Sequence, residues 1–161
     1  MPAGRRSRAG ATGPVPAAEA ANAGVTPQGA RPEPRSFKVW VVDPDPAIQG
    51  SVSWLLRHLP VEVETYRFGE DFLRQSDLSS PGCVLVDTDL PDTSGLDVLR
   101  AVQRRTDGAI TVIVLASSPD VHLAVQALRE GAADFFEKPF LGAALTRRVE
   151  RALAESQRDP D

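Results

Sequence analysis

Three short apolar runs, Val39-Trp40-Val41-Val42, Cys83-Val84-Leu85-Val86 and Ile110 to Leu115, constrain this chain more than any other feature. Each breaks off into turn-forming residues: Asp43-Pro44-Asp45, Asp87-Thr88-Asp89-Leu90-Pro91, and Ala116-Ser117-Ser118. Nearly continuous apolar runs of this length match parallel strands covered on both faces. Their carboxyl ends then gather along one sheet edge, the place where open α/β sheets carry their chemistry.

The strands predicted are Phe37 to Val42, Val61 to Tyr66, Cys83 to Val86, Ile110 to Leu115 and Ala133 to Phe136. Val61-Glu62-Val63-Glu64 alternates, so the second belongs at an edge. Helical patterns lie between them. Asp45-Pro46 reads as an N-cap with proline at the first helical position, and Ile48, Val52, Leu55, Leu56 and Leu59 share a face. Gly69-Glu70-Asp71 opens a shorter helix. Ser94-Gly95-Leu96-Asp97 has capping-box spacing ahead of Leu99 and Val102. Ser118-Pro119-Asp120 opens a helix whose Val121, Val125 and Leu128 are expected to face inward, with Gly131 closing it. Leu141, Leu145, Val149 and Leu153 form the last apolar stripe. Such alternation gives a right-handed βαβ sheet.

Composition divides the 161 residues. Residues 1–36 hold nine Ala, six Pro, five Gly and no aromatic residue, too little apolar surface to offset the entropy of ordering, and are read as a disordered tail. Residues 37–154 form the expected domain, and residues 155–161 a short C-terminal tail. The first part carries +3 (five Arg against two Glu), so the rest must hold −7 to reach the formal −4. That acidic body argues against nucleic acid as the main partner. Arg5-Arg6-Ser7-Arg8 reads as a solvated basic stretch, and Pro14, Pro16 and Glu19 interrupt any apolar leader. No segment is long enough to span a membrane, and the default location is the cytoplasm. The single cysteine, Cys83, excludes an internal disulfide and reads as a buried small hydrophobe.

Asp43, Asp45, Asp87 and Asp89 stand at or just beyond the ends of two central strands. Clustered carboxylates repel unless a hard cation or a lysine is shared among them. Of only two lysines, Lys138 directly follows the fifth strand in Phe135-Phe136-Glu137-Lys138-Pro139-Phe140. It is a point charge suited to a phosphoryl oxygen or a carboxylate, and Lys138-Pro139 is a candidate cis peptide.

At these residues the chain resembles the receiver domains of bacterial two-component response regulators. The likeness runs from Phe37 to about Leu153. It rests on Val84-Leu85-Val86-Asp87 with Leu90-Pro91 and Ser94-Gly95-Leu96, then Gly131-Ala132-Ala133-Asp134-Phe135 with Glu137-Lys138-Pro139-Phe140. Receivers that precede a helix-turn-helix domain look nearest. The resemblance implies a doubly wound, flavodoxin-like (βα)5 fold with strand order 2-1-3-4-5. It implies Asp87 as phosphoacceptor, attacking a phosphohistidine of a sensor histidine kinase or phosphotransfer protein. It implies Mg²⁺, weakly held, on Asp43, Asp87 and the backbone carbonyl of Asp89, with Lys138 on a phosphoryl oxygen and Ala116 and Phe135 at the switch positions.

Two positions depart from the family pattern. Pro44 replaces the second of two adjacent acids, the one that usually touches the metal, and Ala116 replaces the Ser or Thr that follows the phosphoryl group. Asp45 is the nearest substitute ligand, but capping the following helix already employs it. Ser117 comes one residue late and belongs to the loop. Trp54 is expected in the partial core, Trp40 against a helix, and His58 and His122 on helix surfaces.

The leading reading is therefore a single-domain response regulator, not an enzyme, that signals to an unknown downstream protein. Eight residues follow Leu153, too few for a covalent DNA-binding domain. A homodimer stays open. One rival is a pseudo-receiver, the same fold acting without phosphorylation, for which Pro44 and Ala116 speak. Another is a haloacid-dehalogenase-like phosphatase, whose Asp-x-Asp motif Asp87-Thr88-Asp89 resembles.

Overall fold

A computed structural model of the chain describes residues 36–118 and 120–158. Nearly all of the expected tail, residues 1–35, lies outside them, as do residues 159–161. Ten elements alternate: β1 (Phe37–Val42), α1 (Pro46–Leu55), β2 (Val61–Tyr66), α2 (Gly69–Gln75), β3 (Gly82–Asp87), α3 (Gly95–Thr106), β4 (Thr111–Ala116), α4 (Val121–Arg129), β5 (Asp134–Glu137) and α5 (Gly142–Ser156). All strand pairs are parallel, in the order β2-β1-β3-β4-β5. This is the flavodoxin-like order, with the alternating strand β2 at an edge.

The two-residue period of the strands sorts side chains to opposite faces. Val39, Val41, Cys83, Leu85, Ile113 and Leu115 pack with Val52 and Leu56 and with Leu145, Val149 and Ala152 of α5. Trp40, Val42, Val84, Val86, Val112 and Val114 pack with Phe72 of α2, with Leu99 and Val102 of α3 and with Ala127 of α4. Trp40 meets Phe72 edge to face at 6.2 Å between ring centroids. Cys83 is buried as expected, and burial pushes its thiol up to about 12, leaving it protonated and inert.

Local capping follows the sequence closely. Asp45 accepts the Ala47 N–H at 2.9 Å, Ser94 accepts from Asp97 at 3.1 Å, and Asp120 accepts from Leu123 at 3.1 Å. Gly131 closes the α4 turn at φ 109°, a left-handed value that favours glycine. The Lys138-Pro139 peptide is cis.

The tertiary arrangement corrects three expectations. Val121, Val125 and Leu128 face outward and are exposed, whereas Ala127 is buried and Leu123 partly so. Helix α4 carries two apolar stripes, and it docks by the one whose small Ala127 lets the backbone approach the sheet. Trp54 is 61% exposed instead of partly in the core, with the Arg57 guanidinium 3.6 Å above its ring. Leu141 is also exposed, because it is the N-cap residue ahead of α5 and not part of its buried stripe.

Candidate functional site

Strand register assembles the acidic residues. Val42 lies opposite Val86, so Asp43 and Asp87 come side by side at the ends of β1 and β3. Asp87 lies opposite Leu115, and Ala116 opposite Glu137, which brings Lys138 to the same edge. Main-chain bonds hold the three strand ends: Asp43 N–H to Tyr66 O, Thr88 N–H to Leu115 O, and Lys138 N–H to Ala116 O.

Asp43 is wholly buried. Its Oδ2 accepts from Lys138 Nζ at 2.6 Å, and its Oδ1 accepts the Asp45 N–H at 2.9 Å. Lys138 also pairs with Asp87 Oδ2, at 3.5 Å. Asp87 is 5% exposed, and its Oδ1 is buried without a hydrogen-bond partner. Burial pushes the Asp87 carboxyl above the ordinary carboxylate range; Lys138 opposes that shift, and the neighbouring Asp43 charge adds to it. A strand-end carboxylate with one unpartnered oxygen, one lysine contact and a backbone N–H from Asp89 beside it is a group poised to receive a ligand or an electrophile.

Not every predicted residue joins this cluster. Asp45 is exposed and its carboxylate is engaged at the start of α1. The Asp89 side chain is exposed, while its backbone bridges to Ser94 across the loop after β3. Among the described residues no three acidic, cysteine or histidine side chains form a metal-binding group. What remains is two carboxylates and a lysine. That set fits a hydrated Mg²⁺, which keeps several waters and needs only one or two carboxylates, and the orphaned Oδ1 of Asp87 is an available ligand oxygen. Asp43, Asp87 and the Asp89 carbonyl are the donors that would hold it.

Ala116 is buried and offers only a methyl group at the end of β4. Ser117 is exposed in the bend beyond it. Phe135 is half-buried against the core and borders an open cavity with Asp120, Val121, Ala124 and Glu137.

Two supporting residues escape local sequence reasoning. Gln49, one turn into α1, donates from Nε2 to the Asp43 carbonyl at 2.7 Å. A polar residue beside the apolar Ile48 and Val52 was its only signal. Asp92 accepts from the N–H groups of Gly69 and Glu70 at 3.0 and 2.9 Å, tying the loop after β3 to the start of α2. Nothing local announces a bond that spans more than twenty residues. Gly95 is forced by the same loop, since a Cβ there would meet the carbonyl oxygen of Asp87.

Residues 39–150 match the family model of the response regulator receiver domain, and the chain belongs to that family. It is similar to the transcriptional regulatory protein FixJ of Azorhizobium caulinodans, 38% identical over 124 residues, covering 76% of this chain and 58% of that protein. It is also similar to the response regulator protein TodT of Pseudomonas putida, 33% identical over 119 residues, covering 74% and 52%. The chain thus spans little more than half the length of these relatives. Among solved structures, the BeF3-activated DrrB receiver domain is 34% identical with a TM-score of 0.66, covering 74% of this chain and 98% of that one. The signal receiver domain of a putative Luxo repressor protein from Vibrio parahaemolyticus is 27% identical with a TM-score of 0.69, covering 76% and 93%. Phosphorylation on aspartate and Mg²⁺ binding are general features of the family, whose domains serve two-component signalling and are generally not enzymes. Family membership replaces the phosphatase reading of Asp87-Thr88-Asp89.

Proposed function

We propose that this chain accepts a phosphoryl group on Asp87 from the phosphohistidine of a sensor histidine kinase or phosphotransfer protein, and passes the signal on through a protein-protein contact. The observation that carries this reading is the orphaned, buried Oδ1 of Asp87 beside Lys138. In the reaction an Asp87 carboxylate oxygen attacks phosphorus and the phosphohistidine nitrogen leaves, giving an acyl phosphate. Lys138 Nζ, 3.5 Å from Asp87, is within reach of a phosphoryl oxygen. The Asp89 N–H supports the carboxylate, and the bonds from Gln49 and Asp45 keep Asp43 in place. Bound Mg²⁺ supplies charge neutralisation for the transferred group. Among the described residues no helix is long and apolar enough to cross a membrane.

The test is treatment with acetyl phosphate and Mg²⁺ followed by intact-mass measurement. One phosphoryl adduct is expected on the parent and none on Asp87→Asn; equal labelling of both refutes the assignment. A second reading, constitutive binding without phosphorylation, is favoured by Ala116, whose methyl cannot hydrogen-bond a phosphoryl oxygen. A parent that stays unlabelled supports it.

A further inference from the structure

The loop of residues 88–94 carries two main-chain groups that serve the site: the Asp89 N–H, which donates to the Asp87 carboxylate, and the Asp89 carbonyl, assigned above to the cation. No side chain of Asp89 sets where these atoms lie; the path of the loop does. At its base the loop is held by the Gly95 N–H on the Thr88 carbonyl at 2.9 Å and by the bridge between Asp89 and Ser94. Near its tip Leu90 and Thr93 pack against Gly69, whose missing side chain leaves room for them. Apolar packing of that kind is non-directional. The directional bonds that tie the tip to α2 are those of Asp92, whose Oδ1 accepts the Gly69 N–H at 3.0 Å and whose Oδ2 accepts the Glu70 N–H at 2.9 Å.

Helix α2 is a firm post for such a tie. Its Phe72 is wholly buried and meets Trp40 and Tyr66 edge to face at 6.2 and 5.6 Å, and the Tyr66 carbonyl accepts the Asp43 N–H at 3.0 Å. The helix has no cap of its own, since its N-cap residue is Phe68, which makes no side-chain bond to it. Asp92 supplies that cap from another loop, and a carboxylate suits the positive end of a helix.

We propose that Asp92 is a positioning residue: by clamping the loop after β3 onto α2, it fixes where the Asp89 main chain meets Asp87 and a bound cation. The Asp92 side chain is exposed, and it acts through the loop and not on the phosphoryl group. The inference deepens the phosphoacceptor reading and rests on it for the use made of Asp89; the clamp itself is independent of phosphorylation.

The experiment uses the full chain without a phosphodonor, so its failure is distinct from failure to phosphorylate. Amide hydrogen exchange, read by NMR in metal-free protein, is expected to run several-fold faster at Gly69, Glu70 and Asp89 in Asp92→Ala than in the parent. The Lys138 amide, bonded to the Ala116 carbonyl on the far side of the site, is the unchanged reference. Calorimetric titration is expected to give the variant an Mg²⁺ affinity about tenfold below the parent, the scale at which groups behind a ligand tune metal sites. A double variant separates clamp from cap. Phe68→Ser combined with Asp92→Ala gives α2 a cap from its own chain, so protection at Glu70 is expected to return while Asp89 exchange and Mg²⁺ affinity stay at the values of Asp92→Ala. Three outcomes each overturn the proposal: Asp89 exchange that Asp92→Ala leaves unchanged, an Mg²⁺ affinity equal to the parent's, or recovery of both in the double variant. The exchange arm needs no metal, so it decides the clamp whatever the strength of Mg²⁺ binding in the parent.

Discussion

Replacing Asp87 with Asn is expected to stabilise the fold at neutral pH. In the parent, Oδ1 is buried without a partner, the Asp43 carboxylate lies beside it, and the lysine that would offset both is nearer to Asp43, at 2.6 Å against 3.5 Å. An unsatisfied buried polar atom costs about 1–3 kcal/mol, more when charged. Asn keeps the shape and still buries a polar atom there, but it removes the charge and leaves the Lys138–Asp43 pair in place, so the charge-dependent part of that cost is recovered, a gain of about 1 kcal/mol. At roughly 4 °C per kcal/mol for a domain of this size, Tm rises by about 4 °C. The pH dependence identifies the cause. Burial holds the Asp87 carboxyl above its unfolded value of about 3.9, so folding favours its protonated form. The stability this contributes is fully present below the unfolded pKa and is lost as pH rises through the folded pKa. The parent therefore lags the variant most at pH 7, and the gap closes on acidification. Denaturant titrations of both proteins between pH 7 and pH 4 measure it. A variant less stable than the parent at pH 7, or a gap that does not shrink with falling pH, refutes the reasoning.

Three further outcomes are expected. Gly95→Ala, which by helix propensity alone stabilises, is expected instead to cost about 1–3 kcal/mol and to slow phosphorylation, because its Cβ presses on the carbonyl of Asp87; denaturation and acetyl phosphate labelling report the two effects. Ala116→Thr restores a hydroxyl at the end of β4 and is expected to enlarge the spectral change at Phe135 on addition of a phosphate mimic; an equally large change in the parent assigns the coupling elsewhere. Pro44→Asp is expected to tighten Mg²⁺ binding about tenfold or more, checked by calorimetry, at some cost in stability from the lost proline.

Much of this protein was legible in the chain itself, for reasons that are local. Nearly continuous apolar runs, capping residues at Asp45, Ser94 and Asp120, and the glycine at 131 define the strands, the helix starts and a helix end within a few residues of where each acts. The burial of Cys83 and Trp40 followed from those patterns, and so did the edge position of β2. The residues that form the site were also visible, since Asp43, Asp87 and Lys138 each stand at the end of an apolar strand. What their side chains do to one another was decided by tertiary structure. Strand register set Lys138 against Asp43 more closely than against Asp87, across 95 positions of chain, and left Asp87 with an empty oxygen. Asp45 stayed on its helix, where its carboxylate accepts the Ala47 N–H. The contacts of Gln49 and Asp92 are likewise products of three-dimensional approach. Helix α4 is the plainest case. Periodicity recognises that Val121, Val125 and Leu128 share a stripe, but which of two apolar stripes meets the sheet depends on how closely the backbone can pack there, and the small side chain of Ala127 decided it.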